Sequence, residues 1–174
     1  MTFPRTSLGF IDRFLVSAES FRIPAVLIFN KQDILTDDEV SLQQEHINLY
    51  ESLGYECLRT SATEGTNMDV FIEKLAGKVS LISGHSGVGK STLINAINPE
   101  LDLATSEVST FANKGVHTTT FAEMFEITPG TFLIDTPGIK ELGLMEIEKA
   151  ELGHYFPEMR ELLNQCRFDN CIHY

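Results

Sequence analysis

Residues 84–92 read Gly-His-Ser-Gly-Val-Gly-Lys-Ser-Thr, a G-x-x-x-x-G-K-S pattern. Such residues at such a spacing can hold a polyphosphate. Gly84, Gly87 and Gly89 let backbone N–H groups turn inward around an anion, and a helix starting near Lys90 would point its positive end at the same place. His85, Ser86, Val88 and Thr92 would complete the loop, His85 through its backbone. The Lys90 ammonium would reach the β/γ-phosphates, and the Ser91 hydroxyl offers a hard oxygen to Mg²⁺. The elements needed to position this loop flank it: the apolar run 78–83 predicts a strand, and Leu93-Ile94-Asn95-Ala96-Ile97 has helical spacing. A glycine-rich turn matching by chance is the plain alternative, and it would not require both flanks.

A second constellation is Asn30-Lys31-Gln32-Asp33, directly after the apolar run 25–29. A continuous apolar run predicts a strand covered on both faces, and its carboxyl end is where α/β sheets place ligands. N-K-x-D is the guanine signature of P-loop GTPases. The Asp33 carboxylate would accept two N–H bonds from the guanine N1 and N2 edge, which adenine cannot supply. Asn30 and Lys31 would hold the loop and cover the base. The competing reading makes Asp33 or Thr36 the N-cap of the next helix. Ser61-Ala62 follows the next strand and would close over the base through a backbone N–H.

Beyond the phosphate loop, residues 99–115 are polar and aperiodic and predict a functional loop. It leads to Val116-His117-Thr118-Thr119-Thr120, where Thr119, or Thr118 beside it, would complete the Mg²⁺ shell once a γ-phosphate is bound. A threonine run opening a β-strand is the other reading of these residues. A hairpin turning at 128–131 then brings the chain to Asp135-Thr136-Pro137-Gly138. In this D-x-x-G element Asp135 reaches Mg²⁺ through water, and the Gly138 N–H senses the γ-phosphate. Ile139 stands where Ras-type enzymes carry the water-orienting glutamine, so His117 is the candidate for that task, a loop histidine without a task being the alternative.

The remaining chain supplies the frame. Apolar residues at 11, 14, 15, 18 and 21 predict an amphipathic helix ended by Pro24; 37–53, 68–76 and 147–165 predict further helices, the last broken at Pro157, and Tyr55 to Thr60 predicts a strand. Tyr155, Phe156, Met159 and Leu163 would form an exposed apolar face. With 174 residues, 43% of them hydrophobic, the chain suffices for about one domain. No run approaches the roughly 18 apolar residues of a membrane span, and no signal-peptide pattern opens the chain, so a cytoplasmic protein without membrane contact is expected. Three cysteines are too few for a secreted disulfide framework, and a net charge of −12 argues against a nucleic-acid surface within this stretch.

All the motifs of a Ras-like nucleotide site are present, but N-K-x-D and S-A precede the phosphate loop, an order that is circularly permuted. This order, the G-H-S-G-V-G-K-S-T loop, G-V-H-T-T-T and D-T-P-G resemble the RsgA (YjeQ/EngC) family of circularly permuted GTPases. The resemblance implies an α/β fold, a three-layer αβα P-loop domain with a mostly parallel sheet over residues 1–145. It implies that 146–174 start a helical zinc knuckle, with Cys166, Cys171 and His173 as zinc ligands and a fourth ligand absent from this sequence. Two free thiols and a surface histidine are the alternative. It also implies a monomeric GTP-hydrolysing factor in late maturation of the small ribosomal subunit, stimulated by that subunit and meeting its rRNA mainly through an N-terminal OB domain. The sequence opens on a helix where a Ras-like sheet needs a central strand, so a fragment lacking that strand is expected. The rival functions are a nucleotide-gated binding module with incidental hydrolysis, and an inactive fragment.

Overall fold

The computed structural model describes residues 6–101, 103, 123–135, 147–162 and 165. Five α-helices and five strands are described: α1 (Leu8–Ser20), β1 (Val26–Phe29), α2 (Asp37–Ser52), β2 (Glu56–Arg59), α3 (Met68–Leu75), β3 (Val79–Ile82), α4 (Lys90–Ile97), β4 (Glu123–Thr128), β5 (Thr131–Asp135) and α5 (Pro157–Arg160). Each predicted strand is found within two residues of its expected bounds.

The helix ends follow from local chemistry. Ser7 caps α1, its Oγ accepting from the Phe10 N–H at 3.3 Å, so the helix starts three residues before the apolar periodicity does. It stops before Pro24 is reached. Arg22 adopts a left-handed conformation (φ 55°), while its N–H bonds to Glu19 C=O and the Ile23 N–H to Ala18 C=O, a Schellman closure without glycine. At α2, Thr36 Oγ1 accepts from the Glu39 N–H at 3.4 Å, and the Glu39 carboxylate accepts from the Thr36 N–H at 3.0 Å. This reciprocal box makes Thr36 the capping residue and leaves Asp33 out of that role.

Strand pairing among the described residues forms two sheets: β1 with β2, and β3-β5-β4. In the second, β3 runs parallel to β5 with Ile82 opposite Asp135, and β4 is antiparallel to β5. β3 is therefore an edge strand, and Val79 and Leu81 are 64% and 54% exposed. Val26 of β1 is also exposed, so the expected covering of both faces is incomplete. Only a turn over Leu152–Tyr155 precedes α5 where a longer helix was expected, and Tyr155, Phe156 and Met159 are half-buried rather than an open apolar face.

The chain divides into two compact units. Of the described residues, one contains 28–40, 58–101, 103 and 123–135; its core is Met68, Phe71, Leu75, Leu93, Ile94, Ile127 and Leu133, with Ile94 and Leu133 fully buried. Truncating either to alanine would cost about 2–5 kcal/mol. The other contains 6–27, 41–57 and 147–165 and packs Leu15, Tyr50 and Tyr55 together, with Cys57 against them as a small half-buried group. Tyr50 donates to Asp12 at 2.9 Å, Tyr55 to Glu19 at 3.3 Å, and Arg160 pairs with Glu19.

Candidate nucleotide-binding site

The site is built within the first unit, where β1, β2 and β3 each lead within two residues to a motif residue and β5 ends on one, Asp135. After β3 the chain turns through the glycine-rich loop, with Gly87 at φ +83° and Gly89 at φ +96°, and enters α4 at Lys90. The Lys90 ammonium folds back across this loop, donating to Gly84 C=O at 2.8 Å and His85 C=O at 3.1 Å. Burial pushes its pKa down, and the Asp135 carboxylate opposes that shift. The Lys90 ammonium and the Asp135 carboxylate are therefore close enough to interact electrostatically. Ser91 and Thr92 open α4, half-buried, and Ser86 is exposed.

The N-K-x-D loop leaves β1 at Asn30, and Lys31 takes a left-handed conformation (φ 67°). Asn30 directs both ends of its carboxamide to protein partners. Its Nδ2 donates to Val88 C=O in the phosphate loop at 3.2 Å; its Oδ1 accepts from Thr60 Oγ1 at 3.2 Å and from the Ala62 N–H at 3.3 Å. One side chain therefore joins three of the predicted motifs. The approach is close enough that a Cβ on Gly89 would lie 2.4 Å from Asn30 Nδ2 and 3.8 Å from Lys31 Cε, so Gly89 is needed for this packing as well as for its φ.

Gln32 turns inward, its N–H bonded to Thr60 C=O at 3.1 Å and its Nε2 to Phe29 C=O at 2.9 Å. That directs Gln32 to the loop's backbone, while Asp33 is exposed at the loop's outer side. The Asp33 carboxylate accepts from the Ser61 hydroxyl at 2.5 Å, and Ser61, fully buried, accepts in turn from the Glu64 N–H at 3.1 Å. A carboxylate has lone pairs for this donor and for two more N–H groups.

Asn30, Lys31, Asp33, Ser61, Ala62, the phosphate loop, Ser91 and Asp135 thus belong to one unit, and contacts connect the base-reading residues to the loop. His117, Thr119 with its alternative Thr118, Gly138, Cys166, Cys171 and His173 lie outside the described residues. Among the described residues no group of three His, Cys, Asp or Glu is placed to hold a metal ion. Sequence reasoning missed Thr60, which is fully buried and orients Asn30. As the last residue of the predicted strand Tyr55 to Thr60 it carried only the signal of standing before Ser61-Ala62.

Comparison with known proteins accords with this geometry. Residues 1–145 match the family model described as RsgA GTPase. The chain is 51% identical over 173 residues to the small ribosomal subunit biogenesis GTPase RsgA 2 of Bacteroides thetaiotaomicron, covering 99% of this chain and 56% of that protein. It is 56% identical over 173 residues to RsgA of Cytophaga hutchinsonii, covering 98% and 55%. Among solved structures it is similar to YjeQ from Thermotoga maritima, with a TM-score of 0.80, 37% identity, and 99% and 56% of the two chains covered. It also resembles YloQ, a circularly permuted GTPase, with a TM-score of 0.73, 32% identity, and 98% and 53% covered. The chain spans about half the length of these relatives. On the family match and on identities near one half, this α/β P-loop chain of permuted motif order belongs to the RsgA GTPase family.

Proposed function

We propose that this chain binds GTP and GDP and hydrolyses the β–γ phosphoanhydride of GTP, as the nucleotide-handling part of a factor for small ribosomal subunit maturation. The observation that carries the reading is the Asn30 strap. A hydrogen bond from a guanine-motif side chain to the phosphate-loop backbone is what a site gripping base and phosphates together requires. Asp33 and the Ala62 N–H would read guanine, Lys31 would cover it, and Lys90 with the loop N–H groups would hold the phosphates. Ser91, Asp135 and Thr119 offer the hard oxygen donors that suit Mg²⁺, which would neutralise charge on the β- and γ-phosphates. Gly138 would meet the γ-phosphate, and His117 would orient the attacking water. Zinc at Cys166, Cys171 and His173, and rRNA contact through chain outside this sequence, belong to the same reading. They rest on sequence spacing and on the family resemblance.

The exposed apolar edge at Val79 and Leu81 supports the further proposal that, in the longer protein, a strand from outside residues 1–174 lies beside β3. Titration calorimetry with GDP and ADP tests the base reading, and equal affinity would contradict the role of Asp33. Single-turnover hydrolysis with and without small ribosomal subunits tests the activity. A His117→Ala protein with undiminished stimulated turnover would remove His117 from the mechanism, and absence of turnover in the wild type would leave the binding-module reading in its place.

A further inference from the structure

The loop that follows β2 is closed twice over. Ser61 and Thr66 exchange backbone hydrogen bonds, the Ser61 N–H to Thr66 C=O at 3.2 Å and the Thr66 N–H to Ser61 C=O at 3.0 Å. One residue further on, Asn67 Nδ2 donates to the C=O of Arg59, the last residue of β2, at 2.8 Å. The loop is thus pinned at its base, and it carries groups that meet the N-K-x-D residues. Ser61 Oγ donates to the Asp33 carboxylate at 2.5 Å and accepts from the Glu64 N–H at 3.1 Å, and the Ala62 N–H stands 3.3 Å from Asn30 Oδ1.

Helix capping does not account for Asn67. It occupies the N-cap of α3, where asparagine ordinarily accepts from a helix N–H, yet its side chain makes no such bond. The carboxamide is turned to the preceding strand instead. Its backbone is left-handed (φ 54°), a conformation that glycine adopts at least cost and asparagine tolerates better than most residues. Glycine would satisfy that backbone but could not supply the bond to Arg59; asparagine does both. Asn67 is also exposed, so losing the bond leaves both groups to water and costs the fold little. What the bond fixes is local: the start of α3 against the end of β2, the two feet of the loop.

We propose that Asn67 is a positioning residue for guanine recognition: it holds the loop 61–66 in the register at which the Ser61 hydroxyl meets Asp33 and the Ala62 N–H is presented to the base. It acts through that loop and touches no nucleotide atom itself. The proposal rests on the guanine-nucleotide reading given above.

The test compares the wild-type full chain with two variants. Asn67→Gly keeps the left-handed freedom and loses the bond; Asn67→Asp keeps the size but sets a carboxylate against the Arg59 carbonyl. Calorimetry gives the affinities for GDP, ADP and inorganic pyrophosphate, with thermal midpoint and exchange of the Ala62 amide hydrogen measured alongside. Both variants should exchange Ala62 faster and lose GDP affinity by about threefold to tenfold, the worth of about one neutral hydrogen bond, with ADP and pyrophosphate affinities within about twofold. An acidic residue at the start of α3 favours the helix, so Asn67→Asp should keep or raise the midpoint while its GDP affinity falls, a split that a merely structural residue would not give. Asn67→Asp carries the test should Asn67→Gly fail to fold. An unchanged GDP affinity in either folded variant overturns the proposal, and so does a parallel fall of GDP and pyrophosphate affinity. Equal wild-type affinity for GDP and ADP overturns the guanine reading and this proposal with it. A wild type that prefers GDP, with variants that keep the preference in full, overturns this proposal alone.

Discussion

Substituting Gly89 by alanine tests whether the base-reading and phosphate-holding loops are built against each other. The new Cβ would stand 2.4 Å from Asn30 Nδ2, on a backbone at φ +96°. A side chain's end can usually swing aside at little cost, but Asn30 is held by Val88 C=O, Thr60 Oγ1 and the Ala62 N–H. Displacing it forfeits three neutral hydrogen bonds, each worth about 0.5–1.5 kcal/mol net. The left-handed backbone adds about 1–2 kcal/mol for a residue with a Cβ. The expected loss is about 3–6 kcal/mol, which in a chain of this length lowers the thermal midpoint by about 6–20 °C. Gly130→Ala is the control: its φ is +76°, but its Cβ would meet nothing within 4 Å, so only the backbone cost of about 1–2 kcal/mol remains. The assay is thermal and denaturant unfolding of the nucleotide-free protein, with Asn30→Ala and the double variant completing a cycle. Removing the Asn30 side chain should relieve most of the Gly89→Ala penalty beyond its strain. Strict additivity, or a Gly89→Ala cost no larger than that of Gly130→Ala, would refute the reasoning.

Three further outcomes are expected. Ser61→Ala removes the donor to the Asp33 carboxylate and should weaken GDP binding by about tenfold while leaving ADP binding unchanged, measured by calorimetry; an unaltered GDP-to-ADP ratio contradicts the orienting role. Tyr55 is pushed up from 10.0 to about 12, first by burial and then by Glu19, so the folded protein keeps a proton that the unfolded chain loses. Its contribution is full below about pH 10 and is lost as pH rises towards 12, and Tyr55→Phe should flatten the fall in thermal midpoint over that window; a steeper fall would reverse the sign. Burial lowers the Lys90 pKa from 10.5, so the nucleotide-free protein holds that proton less tightly than the unfolded chain does, and phosphate charge should restore the hold. Calorimetry in alkaline buffers of differing ionisation enthalpy should show proton uptake on GDP binding by the wild type, and proton release would oppose the assignment.

Much of the site was legible because its chemistry is carried by contiguous residues. The glycine spacing at 84–89 and the N-K-x-D order at 30–33 each carry their expectation within a few adjacent residues, and short apolar runs locate the strands that precede them. Thr36 and Asp33 could not be separated as helix caps from composition, since both types cap; the Glu39 carboxylate folding back onto Thr36 decides it. Thr60 was not legible, because its hydroxyl acts on Asn30, far away in sequence, and nothing local marks a threonine for that work. The start of α1 was not legible because a serine cap four residues before the apolar period carries no hydrophobic signal. The end of α1 was attributed to Pro24, whereas an arginine accepting a glycine-like conformation had already ended it.

Three hydrogen bonds to protein atoms hold the Asn30 carboxamide between the phosphate loop and residues 60–62. Its partners are all protein atoms, so the floor of the cleft does not need to be assembled when a nucleotide arrives or rebuilt after one departs. If the chain binds guanine nucleotides as proposed, one can replace another over a standing platform.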